Sequence, residues 1–199
     1  MEQALREGGL VWRVLTAWTD LRGALRAELD RGPTEGRLLF YAMLSGLIWF
    51  LGRAALVAWG PLAPIYPPDE FRARLAAELV SSVFFRTLAL YALAALAGAI
   101  ARAAGGTGGW RDSRAALFWA ALVAAPAILA AHLLSVLLTG VPGQAGAIAG
   151  MLGALAFGWV AAQCIAEAHG FRSALRVLAV MAALVAAFIG ALYLTGRML

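Results

Sequence analysis

At 199 residues, with 63% hydrophobic and 14% charged residues and a mean hydropathy of +0.82, the chain lies outside the range of water-soluble domains, in which about 25% of residues are charged. Its net charge of +5 suits contact with anionic lipid. No basic cluster interleaved with aromatics stands outside the apolar runs, which argues against nucleic acid as a partner. All 16 basic residues are arginine, a bias that points to coding composition more than to bidentate recognition. Cys164 is the only cysteine, so an intrachain disulfide and a multi-cysteine metal site are excluded, and its apolar surroundings predict a buried, inert thiol.

Residues 1–36 read as an amphipathic amino-terminal region and 37–199 as a transmembrane domain. In the first region Leu10, Val11, Val14, Leu15, Trp18, Leu21, Leu25 and Leu29 recur at helical spacing, with Arg13, Thr16, Asp20 and Arg26 on other faces. The segment is too charged to span a bilayer, and Trp12 and Trp18 favour the headgroup layer. A helix lying on the cytoplasmic surface is expected, the alternative being one packed on the protein's own loops. No cleavable signal peptide is expected, because acids and arginines interrupt every apolar run before position 37. Gly32-Pro33 ends the region.

Five spans follow. The first, about Leu38 to Trp59, is long enough to cross and carries Arg53, which must snorkel or find a partner. Pro61, Pro64, Pro67 and Pro68 build a rigid external loop. Asp69-Glu70 then starts a helix that leads into the second span, about Leu79 to Ala103, with Arg86 inside it. Gly105-Gly106-Thr107-Gly108-Gly109 makes a tight connection, followed by Trp110, Arg111 and Arg114. The third span, about Ala115 to Thr139, holds Pro126, expected to kink it, and His132. Gly140-Val141-Pro142-Gly143 is a hairpin turn. In the fourth span, about Ala145 to Ala166, Gly146, Gly150, Ala154 and Gly158 recur every four residues with Gly153 beside them, a pattern that permits close helix approach. Gly170 is placed to cap this helix. The fifth span runs from about Ala174 to Thr195.

With the amino terminus inside, the cytoplasmic segments hold Arg6, Arg13, Arg22, Arg26, Arg31, Arg37, Arg102, Arg111, Arg114, Arg172 and Arg176. The outside holds Arg72, Arg74 and Arg197. That excess orients the chain with its amino terminus cytoplasmic and its carboxyl terminus periplasmic, in an inner membrane.

Chemistry is sparse. The polar residues within spans are Arg53, Arg86, His132, Ser135 and Gln163, while Glu78 and Glu167 sit at span edges. Intramembrane charge suggests an ion or solute path, but structural hydrogen bonding and snorkelling account for the same residues. His132 and Ser135 share a helix at i, i+3, yet no Gly-x-Ser-x-Gly turn supports a nucleophile. His132, Cys164 and His169 lack the close spacing of a metal site. The glycine loop lacks the Gly-Lys-Ser/Thr ending of a phosphate-binding loop. It does precede a helix whose first amides, with Arg111 and Arg114, could hold a lipid phosphate, and the alternative is a plain turn with snorkelling arginines. No catalytic residue, metal or cofactor is expected.

The run Ala104-Gly105-Gly106-Thr107-Gly108-Gly109-Trp110-Arg111, continuing through Arg114-Ala115-Ala116-Leu117 to Ala125-Pro126, resembles the bacterial branch of the Yip family of Ypt-interacting membrane proteins. So does Ala166-Glu167-Ala168-His169-Gly170-Phe171, in the place of that family's loop between spans four and five. The resemblance implies a five-span, non-enzymatic membrane protein, and in eukaryotes it implies Rab-type GTPase partners, a role not transferred here. The expected function is a membrane scaffold, membrane-organising factor or complex subunit, whose partners are anionic lipids and a membrane protein or second copy of the chain. The alternative is a small oligomeric transporter or channel using Arg53, Arg86 and His132.

Overall fold

The structure, a computed structural model, describes residues 9–60, 67–138 and 145–196. Pro61, Pro64 and the Gly140–Gly143 turn lie outside the described residues, as do Arg6 and Arg197. The described residues are helical almost throughout and include five helices long and apolar enough to cross a membrane.

The amino-terminal region is two helices, not one. Helix α1 spans Leu10–Thr16, a 3-10 turn covers Ala17–Thr19, and α2 spans Leu21–Asp30. The break is local chemistry. The Thr16 and Thr19 hydroxyls donate to the Trp12 and Thr16 carbonyls. Asp20, in extended backbone, then caps α2 by accepting from the Gly23 amide at 2.9 Å. The inner face, Val14, Ala17, Leu21, Ala24 and Leu25, is buried, while Val11, Trp12, Leu15 and Trp18 stay exposed. The region packs on the chain's own helices, with an apolar outer face left over.

The spans are α3 (Glu35–Trp59), α4 with α5 (Pro68–Val80 and Arg86–Ala103), α6 (Trp110–Leu137), α7 (Ala145–Ala168) and α8 (Ala174–Gly196). Thr34 caps α3 by accepting from the Arg37 amide. Helices α4 and α5 are one rod, interrupted by a π-helical turn at Ser81–Phe85 just before Arg86. The proline at the head of α4 and the acids Asp69 and Glu70 in its first turn suit a helix start.

Helix α6 is the post of the bundle. Every residue from Ala115 to Ala125 is buried, about three turns with no exposed face. A helix apolar all round is stable only when surrounded, and α3, α5, α7 and the α1–α2 segment enclose it. Its alanines let the neighbours approach, and Phe118, Trp119 and Leu122 fill the gaps between them. Pro126 lies within the continuous helix and deprives the Leu122 carbonyl of its usual donor. At the next carbonyl, that of Val123, the Trp18 indole N–H donates at 3.2 Å, so the amino-terminal segment reaches well down the side of the bundle. Helix α8 packs chiefly on α7 and exposes most of its length.

Candidate functional site

Two places concentrate polar chemistry: the end of the bundle covered by α2, here called the capped end, and a cavity between the spans.

At the capped end two carboxylates clamp the amino-terminal segment. Glu28 on α2 is fully buried. It accepts from Arg13 at 2.6 Å, from Arg31 and Arg37 at 3.1 Å each, and from the Tyr41 hydroxyl at 2.7 Å. A buried carboxylate needs this degree of satisfaction, since desolvation costs several kcal/mol per ion. Trp119 lies under the group, with its ring 5.5 Å from that of Tyr41 and 5.8 Å from the Arg13 guanidinium. Glu167, at the end of α7, accepts from Arg22 at 3.0 Å and also pairs with Arg26. Arg22 further donates to the Phe171 and Arg172 carbonyls. Glu167, an edge residue in the sequence, is therefore the lock between α2 and the last loop.

The glycine loop and the Glu167–Phe171 loop are a matched pair. Gly105 and Gly170 both take positive φ, 87° and 74°. Each closes its helix with a 6→1 bond, Gly106 N–H to Ala101 and Phe171 N–H to Ala166, both at 2.8 Å. The predicted cap at Gly170 is present. The Thr107 amide donates to the His169 carbonyl at 3.2 Å, joining the two loops. A side chain on Gly106 or Gly108 would run into the His169 ring or nearby backbone, which is why this loop is made of glycine. His169 is buried, stacked by Phe171, and its Nε2 lies 3.0 Å from the Ser113 hydroxyl. Burial, then the Arg102 charge, hold its pKa below 6.5 against the opposing pull of Asp112, so the ring is neutral near pH 7. Asp112 accepts from the Gly109 amide at 2.8 Å and Arg102 lies over the Trp110 ring. This Ser113–His169 pair was not legible in the sequence, where 56 positions separate the partners. Ser135, the serine paired with His132 by spacing, instead donates to the Gly146 carbonyl at 2.7 Å.

The two loop arginines have internal partners. Arg111 donates to the Gly32 and Pro33 carbonyls. Arg114 meets Glu35 at 3.1 Å, and Glu35 also accepts from the Tyr91 hydroxyl at 2.7 Å.

The second place lies within the spans. Arg53 pairs with Glu78, Nη2 to Oε1 at 2.6 Å, so it has a carboxylate partner on the next span. Arg86 has none. Its guanidinium donates to the Ser45 hydroxyl at 2.7 Å and lies 5.3 Å from the Trp49 ring centroid. The Trp49 ring meets the His132 ring edge-on at 5.0 Å, and Gly52 leaves the room that the imidazole fills. Arg86, His132 and Trp49 line a cavity of about 280 Å³ with otherwise apolar walls. Gly150, Gly153, Ala154 and Phe157 form its α7 side. Of the small-residue row, Gly150 and Ala154 are exposed, Gly146 and Gly158 half-buried. The tightest approach on α7 is at Gly153, where an added methyl would stand 3.2 Å from the Ala131 side chain. Gln163 is half-buried on α7, one turn before Glu167.

Five apolar helices long enough to span a membrane, one of them a buried post enclosed by its neighbours, define an all-α polytopic membrane protein. Residues 25–195 match the Yip1 domain family model, and the chain belongs to that family. No curated protein and no solved structure matches it.

Proposed function

We propose that this Yip-family protein is a non-catalytic organiser of an inner membrane, a scaffold or complex subunit that works through its capped end. That end faces the cytoplasm in this reading, because it gathers Arg22, Arg26, Arg31, Arg37, Arg102, Arg111, Arg114 and Arg172. The observation that carries the proposal is the α1–α2 segment. Ion pairs fix it to α3 through Glu28 with Arg37 and to α7 through Arg22 and Arg26 with Glu167. Apolar packing and the Trp18 indole hold it to α6, and Val11, Trp12 and Leu15 present an apolar outer face. Such a surface engages a membrane partner or lipid without moving the core. Arg111 and Arg114 stand at the edge of the same end, where an anionic headgroup would share them with the Gly32 and Pro33 carbonyls and with Glu35.

Affinity purification from native membranes in mild detergent tests this. The wild-type chain should retain a partner protein that Trp12→Ala with Leu15→Ala loses while the bundle stays folded. In proteoliposomes, an ion or proton flux dependent on Arg86 and His132, with no partner retained, would replace the scaffold by a transporter. Unchanged retention of anionic lipid by the Arg111→Ala, Arg114→Ala double variant would remove the headgroup role.

A further inference from the structure

The cavity beside Arg86 has a chemistry that the scaffold reading does not use. Among the described residues the ion pairs take Glu28, Glu35, Glu70, Glu78 and Glu167, and none of them includes Arg86. Glu78, the carboxylate one helical stretch away on the same rod, is held by Arg53. The Arg86 guanidinium thus sits among spans with one hydroxyl and one aromatic face for company. Cations inside a bilayer are costly and are found paired or at ligand sites. A hydroxyl and a ring face offset only part of that cost.

Depth restricts the ligand. Ser45, which marks the level of Arg86, is ten residues into α3 from Glu35, about 15 Å along the axis. The hydrocarbon core is about 30 Å thick and α3, at 25 residues, is longer than that, so the cation lies within the core, below the headgroup level. The headgroup of a two-chain phospholipid resides at the interface and would have to drag its polar bulk that distance. A single carboxylate on one acyl chain is small, enters uncharged when protonated, and matches a guanidinium through two parallel hydrogen bonds.

Shape agrees. The walls apart from Arg86 and His132 are apolar, and 280 Å³ is near the lower end of small-molecule sites. Leu93 on α5 and Gly150 and Ala154 on α7 line the cavity and are also exposed on the bundle's flank. The opening is therefore lateral, towards lipid, and a tail can remain in the bilayer while its head enters.

We propose that this cavity binds the carboxylate end of a long-chain fatty acid, with Arg86 as its counter-ion and the α5–α7 flank as its entrance. This stands apart from the scaffold reading and can hold if that reading fails. The test uses the full chain in phosphatidylcholine nanodiscs with radiolabelled palmitate, and empty nanodiscs subtracted. Saturable binding of one palmitate per chain is expected, displaced by unlabelled palmitate and not by methyl palmitate, which has the tail without the charge. Arg86→Gln should weaken binding by roughly tenfold or more, Arg86→Lys should restore part of it, and Arg176→Gln should leave it unchanged. Leu93→Trp, which fills the entrance and leaves the charge, should also reduce binding, so the proposal remains testable if Arg86→Gln fails to fold. Equal displacement by methyl palmitate, wild-type binding by Arg86→Gln, or no excess over empty nanodiscs would overturn it. Displacement by phosphatidylglycerol at lower concentration than palmitate would overturn the single-chain assignment.

Discussion

Glu28 shows how much one side chain can organise. It joins α1, α2 and α3 through Arg13, Arg31, Arg37 and Tyr41 with no exposed surface of its own. Removing one member of a buried ionic group strands the others, at about 3–5 kcal/mol. Glu28→Ala should therefore lower the thermal midpoint in detergent clearly, whereas Glu70→Ala, which loses only an exposed pair with Arg74, should change it little. His169 gives a pH prediction. Its folded pKa lies below the ordinary 6.5, so on acidification the unfolded chain takes up the proton first. The associated stability is complete above about pH 6.5 and declines as pH falls below it. Melts at pH 7.5 and 5.5 should show a larger loss for the wild type than for His169→Gln. Neither residue's role could be read from sequence. Glu28 carries no signal of its own in the sequence, because its partners lie on three elements.

At the scale of elements, the sequence disclosed spans well and contacts poorly. Span positions follow from apolar length, and the helix start at Asp69-Glu70 and the cap at Gly170 follow from local chemistry, whereas the Thr34 cap that begins α3 ahead of its apolar run was not read. The glycines that set helix spacing do not. The repeat at Gly146, Gly150, Ala154 and Gly158 is conspicuous, yet a methyl at Gly150 would stand 3.9 Å from its nearest neighbour, the Ser135 hydroxyl, in ordinary contact. Gly46 and Gly52 on α3 are six residues apart, on different faces, and leave no periodic signal. An added Cβ at Gly46 would overlap the Ser82 backbone carbonyl, and one at Gly52 the His132 ring. Gly46→Ala should cost about 1–3 kcal/mol through forced separation of α3 from the π-helical turn. Gly150→Ala should be neutral or stabilising by up to about 1 kcal/mol, since alanine favours helix. Chemical denaturation in detergent of the two variants side by side separates these outcomes. The cavity was half visible: Arg86 and His132 stood out as intramembrane polar residues, but Arg53, grouped with them, belongs to Glu78.

For the whole molecule, the arginine distribution makes a topology prediction that the native thiol leaves clean. Cys164 is fully buried, so a membrane-impermeant maleimide should ignore it in the folded protein. Arg172→Cys should label from the cytoplasmic side only, and Pro67→Cys from the opposite side only. Labelling of both from one side would break the five-span count, and reversed sides would move the capped end out of the cytoplasm. The five-span architecture was legible because lipid demands long apolar helices. The enclosure of α6 was not, because every span is apolar and hydropathy alone does not distinguish a neighbouring helix from lipid.

That enclosure also imposes a schedule. Chains emerge at about 5–20 residues per second, so α6 enters the membrane some seconds before α7 exists to cover it. During that interval its alanine-rich side meets lipid, a tolerable exposure because no residue from Ala115 to Ala125 is charged. Arg22 and Arg26 wait longest, since Glu167 and the Phe171 carbonyl are made well over a hundred residues after them. These bonds thus join segments made at widely separated times. A chain halted before Glu167 lacks this second clamp on its amino-terminal segment, and greater exposure of that segment to protease would distinguish the unfinished product from the finished one.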